Sequence, residues 1–278
     1  MPGRTPGALR AAGLVERLAV HGLEVRDFGD LPAERFRPGP RDGGVRDLAR
    51  VAAIAARTAD RVSEIRAAGL RPLVLGGDCT ITLGVIAGLA RHDDVGLIYF
   101  DGDVDLSLPE TSDSGVADTM GITHLLGGGA DELAGLGPRR PLTGPDRVEL
   151  LGFSPAELDT GEWTRLTSQN LPATPAPAVR QDPAGRAAAT LARLEPRVGS
   201  VLVHFDLDVL HTGAFPLANF PHFAGLTLEE AACLGTFCHG AKFAGLVVTE
   251  VNPDHDPEGN LMPALIDLVC AALGAGPA

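Results

Sequence analysis

The chain has 278 residues, of which 45% are apolar and only 4% aromatic, so alanine, valine and leucine must fill its core. Its 23 basic and 36 acidic residues leave a net charge of −13, which argues against nucleic acid or an anionic membrane as partner. No apolar run is long enough to span a bilayer, no signal peptide is evident, and the four cysteines (Cys79, Cys233, Cys238, Cys270) match neither a zinc-finger nor a disulfide-framework pattern. A reduced, cytoplasmic protein is the expectation.

Thr5-Pro6 predicts the start of a first helix, with Leu9, Leu14 and Leu18 on one face and Gly22 beyond its end. Glu24–Asp30 reads as a strand. Val45, Leu48, Val51, Ile54, Thr58, Val62 and Ile65 recur every three or four residues and predict a long amphipathic helix ending near Gly69. A short buried strand at Leu73–Leu75, a helix over Thr80–Arg91 and a strand at Val95–Phe100 follow. Val148–Phe153, Ser200–Phe205 and Phe243–Val251 complete the strands, and Pro183–Leu194, Leu226–His239 and Leu261–Leu273 read as helices. Residues 127–146 and 166–182 read as surface connections.

Strands and helices alternate, and the strands are continuously apolar. That predicts an α/β fold with three layers, a mostly parallel central sheet covered by helices on both faces, in one domain over residues 1–278. Ligands of such sheets bind beyond the carboxyl ends of the strands. The acidic clusters of this chain sit there: Gly76-Gly77-Asp78-Cys79, Asp101-Gly-Asp103-Val-Asp105 and His204-Phe-Asp206-Leu-Asp208, with Glu250 ending a fourth strand. Burying carboxylates together is costly unless a cation compensates them. On an extended segment Asp101, Asp103 and Asp105 would share one face, which suits a hard divalent cation. Cys79 reads either as a thiolate ligand or as a small buried apolar residue. His124, His211, His222 and His255 lie in or near the loops and read as solvated or structural side chains rather than ligands.

Together the clusters resemble the ureohydrolases, the arginase and agmatinase superfamily of binuclear manganese enzymes. Pro6-Gly-Ala-Leu-Arg10 matches the first-helix motif, Gly76-Gly77-Asp78-Cys79 matches Gly-Gly-Asp-His, and Asp101–Asp105 matches Asp-Ala-His-x-Asp. Ser114-Gly115 and Met120 match the Ser-Gly-Asn-x-His-Gly-Met loop, Asp159-Thr-Gly-Glu162 a substrate-side Asp-Pro-Gly-Glu, and Phe205-Asp206-Leu-Asp208 the Ser-Phe-Asp-x-Asp segment. Glu250-Val-Asn-Pro matches the glutamate that contacts guanidinium.

The departures fall on histidines. Cys79 and Asp103 replace the two metal-binding histidines, Asp118 replaces the proton-shuttling one, Val116 replaces the loop asparagine, and His211 replaces an aspartate. The family's first strand has no room before Pro6. The resemblance implies an arginase-like fold and hydrolysis of a linear guanidino compound to urea and an amine. It implies metal ligands at Cys79, Asp101, Asp103, Asp105, Asp206 and Asp208, catalytic roles for Asp118 and Glu250, and substrate contacts from Ser114, Val116, Asp159 and Glu250. It implies two Mn²⁺ ions, although a thiolate pulls toward Zn²⁺ or Fe²⁺. It also implies a trimer or hexamer. Loss of three histidines leaves a second reading open, an inactive homologue that serves as a binding or structural subunit. Metal-free catalysis by Cys79 is a third, weakened because a thiol among carboxylates resists ionisation.

Overall fold

Val95–Phe100, Ser200–Asp206 and Phe243–Thr249 are buried at every position, which requires cover on both faces. The computed structural model, which describes residues 4–34 and 39–274, supplies it. A short antiparallel hairpin, β1 (Arg41–Asp42) and β2 (Val45–Arg46), stands apart. The main sheet comprises β3 (Leu73–Leu75), β4 (Val95–Phe100), β5 (Val148–Leu151), β6 (Ala173–Thr174), β7 (Ser200–Asp206) and β8 (Phe243–Thr249). Their spatial order is β3-β8-β7-β4-β5-β6, and every neighbouring pair is parallel.

Successive side chains of a strand point to opposite faces, and the core divides accordingly. Ile98, Phe100, Val203, Phe205 and Val248 pack on one side with the helices Pro183–Leu194 and Leu261–Leu273. Leu97, Tyr99, Leu202 and Val247 pack on the other with the helices Leu48–Ala67 and Ile81–Leu89. These are the three expected layers. From β3 the chain skips two positions to β4, runs outward through β5 and β6, and returns to fill the gap with β7 and β8. The carboxyl ends of β3, β8, β7 and β4 therefore stand side by side, and each is followed by one of the acidic groups.

Several local expectations are corrected. The first helix is two, Thr5–Ala11 and Leu14–Val20, separated at Gly13, whose φ of 89° no other residue type adopts readily. Thr5 does not cap it; its Oγ1 donates to the Val251 carbonyl at 2.6 Å and ties the helix to the end of β8. Leu226–His239 is likewise two short helices, Leu228–Ala231 and Leu234–Cys238. The stretch 166–182, expected as a surface connection, contains β6 and the helix Ala176–Gln181. Glu24–Asp30 forms no strand. Among the described residues β3 is the edge of the sheet, and a cavity of about 1960 Å³ lies between it and this segment, lined by Val25, Phe28, Ile54, Leu73 and Leu75. Without a neighbour to share its hydrogen bonds, an extended segment does not join a ladder. None of the described helices is long and apolar enough to cross a membrane.

Candidate metal centre

The acidic side chains beyond the strand ends are buried: Asp101, Asp105, Asp118, Asp206, Asp208 and Glu250 are each less than one-tenth exposed. Backbone amides pin one oxygen of several carboxylates. Asp101 Oδ1 accepts from Asp103 N at 2.7 Å, Asp206 Oδ1 from Asp208 N at 2.8 Å, and Asp208 Oδ1 from Gly102 N at 3.0 Å. The second oxygens of Asp101 and Asp208 turn to the shared centre, and that of Asp206 also accepts from Thr249 Oγ1 at 2.7 Å. Gly102 permits this crowding, since a Cβ there would stand 2.9 Å from Asp208 Oδ1 and 2.7 Å from the His222 ring.

Two groups of metal-binding atoms result, each with its atoms within 4.8 Å of one another. The first joins Cys79, Asp101, His204 and Asp206, all buried. Cys79 Sγ lies 2.7 Å from Asp206 Oδ2 and 3.7 Å from Asp101 Oδ2; His204 Nε2 lies 3.3 Å from Asp101 Oδ2. The second joins Asp103, Asp208 and His222. Asp105 joins neither. Its φ of 47° turns the backbone left-handed, and its carboxylate accepts a hydrogen bond from the Tyr99 hydroxyl. The segment is therefore not extended at its end, and the Asp105 carboxyl faces the charges of Asp118, Asp103 and Asp208.

Burial sets the electrostatics. It lifts the carboxyl groups of Asp101, Asp105, Asp118 and Asp206 well above the usual range, and their mutual repulsion adds to it. The Cys79 thiol is pushed up by burial and then by Asp206, Asp118 and Asp101. Glu250 rises to about 11 through burial, with Asp118, Asp206 and Asp78 adding to it. Among the described residues the only ion-pair partners of Asp101, Asp103, Asp206 and Asp208 are histidines. Burial keeps His204 neutral, with a pKa of about 3. For His222 burial opposes the charged form, but Asp103 and Asp208 outweigh it and hold the pKa at about 11.

Neither histidine is expected in these groups from the sequence. His204 left a usable signal: it stands two residues before Asp206 on a strand, so both point to the same face. Its ring stacks on Tyr99 at 4.1 Å, and Nδ1 is engaged by Thr82 Oγ1 at 2.8 Å, which turns Nε2 toward Asp101. His222 left none, because it reaches the centre from the long loop after β7.

The remaining sequence-derived residues divide. Asp118 is in the centre, its Oδ1 accepting from Cys79 N at 2.7 Å. Glu250 directly follows β8, with φ 57°, and its Oε2 accepts from Asn219 Nδ2 at 2.7 Å. Such a left-handed, buried carboxylate is held by its surroundings at an energetic cost. Ser114 is exposed, and its Oγ lies 3.2 Å from Val116 N. Asp159 is the N-cap of the helix Thr160–Ser168, in a capping box with Glu162. Asp159→Ala is therefore expected to lower stability by about 1 kcal/mol, measured by denaturant unfolding; an unchanged midpoint would dissociate Asp159 from the helix.

The donor sets fit divalent metal: one thiol, one imidazole and two carboxylates in the first group, one imidazole and two carboxylates in the second. Such a fold and centre define an α/β protein with candidate metal-binding groups at the carboxyl ends of its parallel strands. Comparison with known proteins agrees. The arginase family model matches residues 4–274. Arginase of Bacillus caldovelox is 30% identical over 275 residues, covering 97% of this chain and 91% of that protein. Human arginase-1 is 30% identical over 258 residues, covering 89% and 79%. The crystal structure of the Bacillus caldovelox arginase superposes with a TM-score of 0.90 over 99% of this chain and 93% of that one. The chain belongs to the arginase family.

Proposed function

We propose that this protein is a metal-dependent amidinohydrolase that releases urea and an amine from a small guanidino compound. The observation that carries the reading is Glu250. It is 2% exposed, its carboxylate is held by one neutral amide, and among the described residues no cation pairs with it. A guanidinium is the cation whose planar pair of N–H groups matches a carboxylate.

The two donor groups would hold the metal, with Mn²⁺ suited to the oxygen-rich second group and Zn²⁺ or Fe²⁺ favoured where Cys79 contributes. When bound, divalent metal supplies Lewis-acid activation of a water molecule. Glu250 orients the guanidinium by paired hydrogen bonds. Water adds to the central carbon, the C–N bond to the alkyl chain breaks, and the leaving nitrogen takes a proton. Asp118 is suited to give that proton from Oδ2, because burial raises its pKa while Oδ1 stays engaged with Cys79 N.

Substrate choice follows from what is already occupied. Val116 offers no polar contact, Ser114 turns its hydroxyl to the Val116 amide, and Asp159 is spent on its helix cap. This supports a guanidino compound without the amino-acid end of arginine. Assembly as a trimer or hexamer is part of the proposal. The inactive alternative is favoured by one observation, the His222 imidazole with its raised pKa, which could take a metal's place between Asp103 and Asp208. Elemental analysis separates the two. Protein dialysed against Mn²⁺ at about pH 8 should retain at least one ion per chain, and Asp208→Asn should retain less. Folded protein free of metal under those conditions would favour the inactive reading.

A further inference from the structure

We infer that His222 is a metal ligand, forming with Asp103 and Asp208 a site for one hard divalent cation, and that Glu157 positions its ring. The inference rests on the reading that this centre binds metal, and not on the substrate.

His222 lies on the loop after β7 and is 6% exposed. Its backbone is fixed on both sides: His222 N donates to Thr212 Oγ1 at 2.8 Å, and Thr212 N donates to the His222 carbonyl at 2.9 Å. The ring is fixed as well, because Nδ1 is hydrogen-bonded to Glu157 Oε2. A carboxylate on one ring nitrogen, with the other nitrogen aimed at the ion, is how ligating histidines are commonly oriented.

The free nitrogen is aimed at carboxylates without bonding to them. Nε2 is buried and makes no hydrogen bond. It lies 3.3 Å from Asp103 Oδ2 and 3.6 Å from Asp208 Oδ2. A charge-assisted N–H···O bond closes to about 2.7–2.9 Å. Ligand atoms held about 2.1 Å from one ion, at right angles, stand about 3 Å apart, and wider angles lengthen this. The observed separations are longer than such a bond and match the edges of a coordination shell.

The surroundings agree. Asp208 Oδ1 is occupied by Gly102 N, which leaves Oδ2 for the ion. Asp103 is half-exposed, so water can complete the shell. A nitrogen, two carboxylates and water suit Mn²⁺ or Mg²⁺ rather than a soft metal. Asp103 stands where the family resemblance expects an imidazole; His222 returns one to the same place from another loop.

The test uses Mn²⁺ alone as probe, with equilibrium dialysis and pulsed electron paramagnetic resonance of the intact chain. His222→Ala should lose about one ion per chain and the nitrogen coupling of that ion, while Glu157→Gln, a mild change at a half-exposed side chain, should weaken binding about 10- to 100-fold. Circular dichroism of both variants confirms folding, and Glu157→Gln keeps the test open should His222→Ala misfold. The competing arrangement, a protonated His222 neutralising Asp103 and Asp208, predicts the opposite sign: removing it would tighten Mn²⁺ binding. Unchanged or tighter binding in folded His222→Ala would overturn the inference while leaving the metal reading intact. A wild-type chain that binds no Mn²⁺ would overturn both.

Discussion

Glu250→Gln should cut urea release by about 30- to several-thousand-fold and leave the metal content of the protein unchanged. The substitution keeps the shape of the side chain and an acceptor for Asn219 Nδ2, so the end of β8 should hold its place. What it removes is the charge that pairs with guanidinium. Truncating one partner of a buried, hydrogen-bonded charge pair costs about 2–5 kcal/mol, which is about 30- to several-thousand-fold in kcat/KM. Metal content should persist because Glu250 belongs to neither donor group. Parallel urea assay and elemental analysis check both halves. Urea formation undiminished by the substitution would mean that the guanidinium sits elsewhere.

Stability and metal affinity should move in opposite directions with pH. In the metal-free protein Glu250 has a pKa of about 11 against an ordinary 4.5, and burial raises Asp101, Asp105, Asp118 and Asp206 in the same direction. His222, at about 11 against 6.5, adds to the trend. A group whose folded pKa is raised contributes stability in full below its unfolded pKa and loses it as pH climbs toward the folded one. His204 is the exception: at about 3 against 6.5, its contribution is present above 6.5 and fades as pH falls. The metal-free protein should therefore lose thermal stability steadily as pH rises above about 6.5, by Tm in a buffer series. Mn²⁺ must displace the same protons, so its affinity should climb about tenfold per pH unit for each proton released. Calorimetry over pH about 6 to 9 reads that slope directly. A flat affinity would make Cys79, whose thiol is pushed up by burial, a spectator.

What was legible in the sequence follows physical period and burial. Val95–Phe100, Pro183–Leu194 and Leu261–Leu273 were bounded correctly because long apolar or amphipathic runs carry their own signal. Cys79, Asp101 and Asp206, each at or just beyond the end of a strand legible in the sequence, fall in one donor group. Two-residue β6 carries no such signal, and its pairing with β5 is decided by tertiary context. Asp159-Thr-Gly-Glu162 shows how one pattern serves two purposes: the same residue types that match a substrate motif also make a capping box. Glu24–Asp30 has a strand's composition and no neighbour to pair with. His222 shows the plainest limit, since its approach to Asp103 and Asp208 depends on the course of a loop that no local period encodes.

The measurement closest to the central claim is urea release by folded, metal-loaded protein. Arginine, agmatine, guanidinobutyrate and hydroxyarginine would each be supplied with Mn²⁺, Zn²⁺ and Fe²⁺ in turn. Urea should form from at least one guanidino compound other than arginine, with arginine poor or inactive. No urea from any pairing, in protein shown to hold metal, would contradict it.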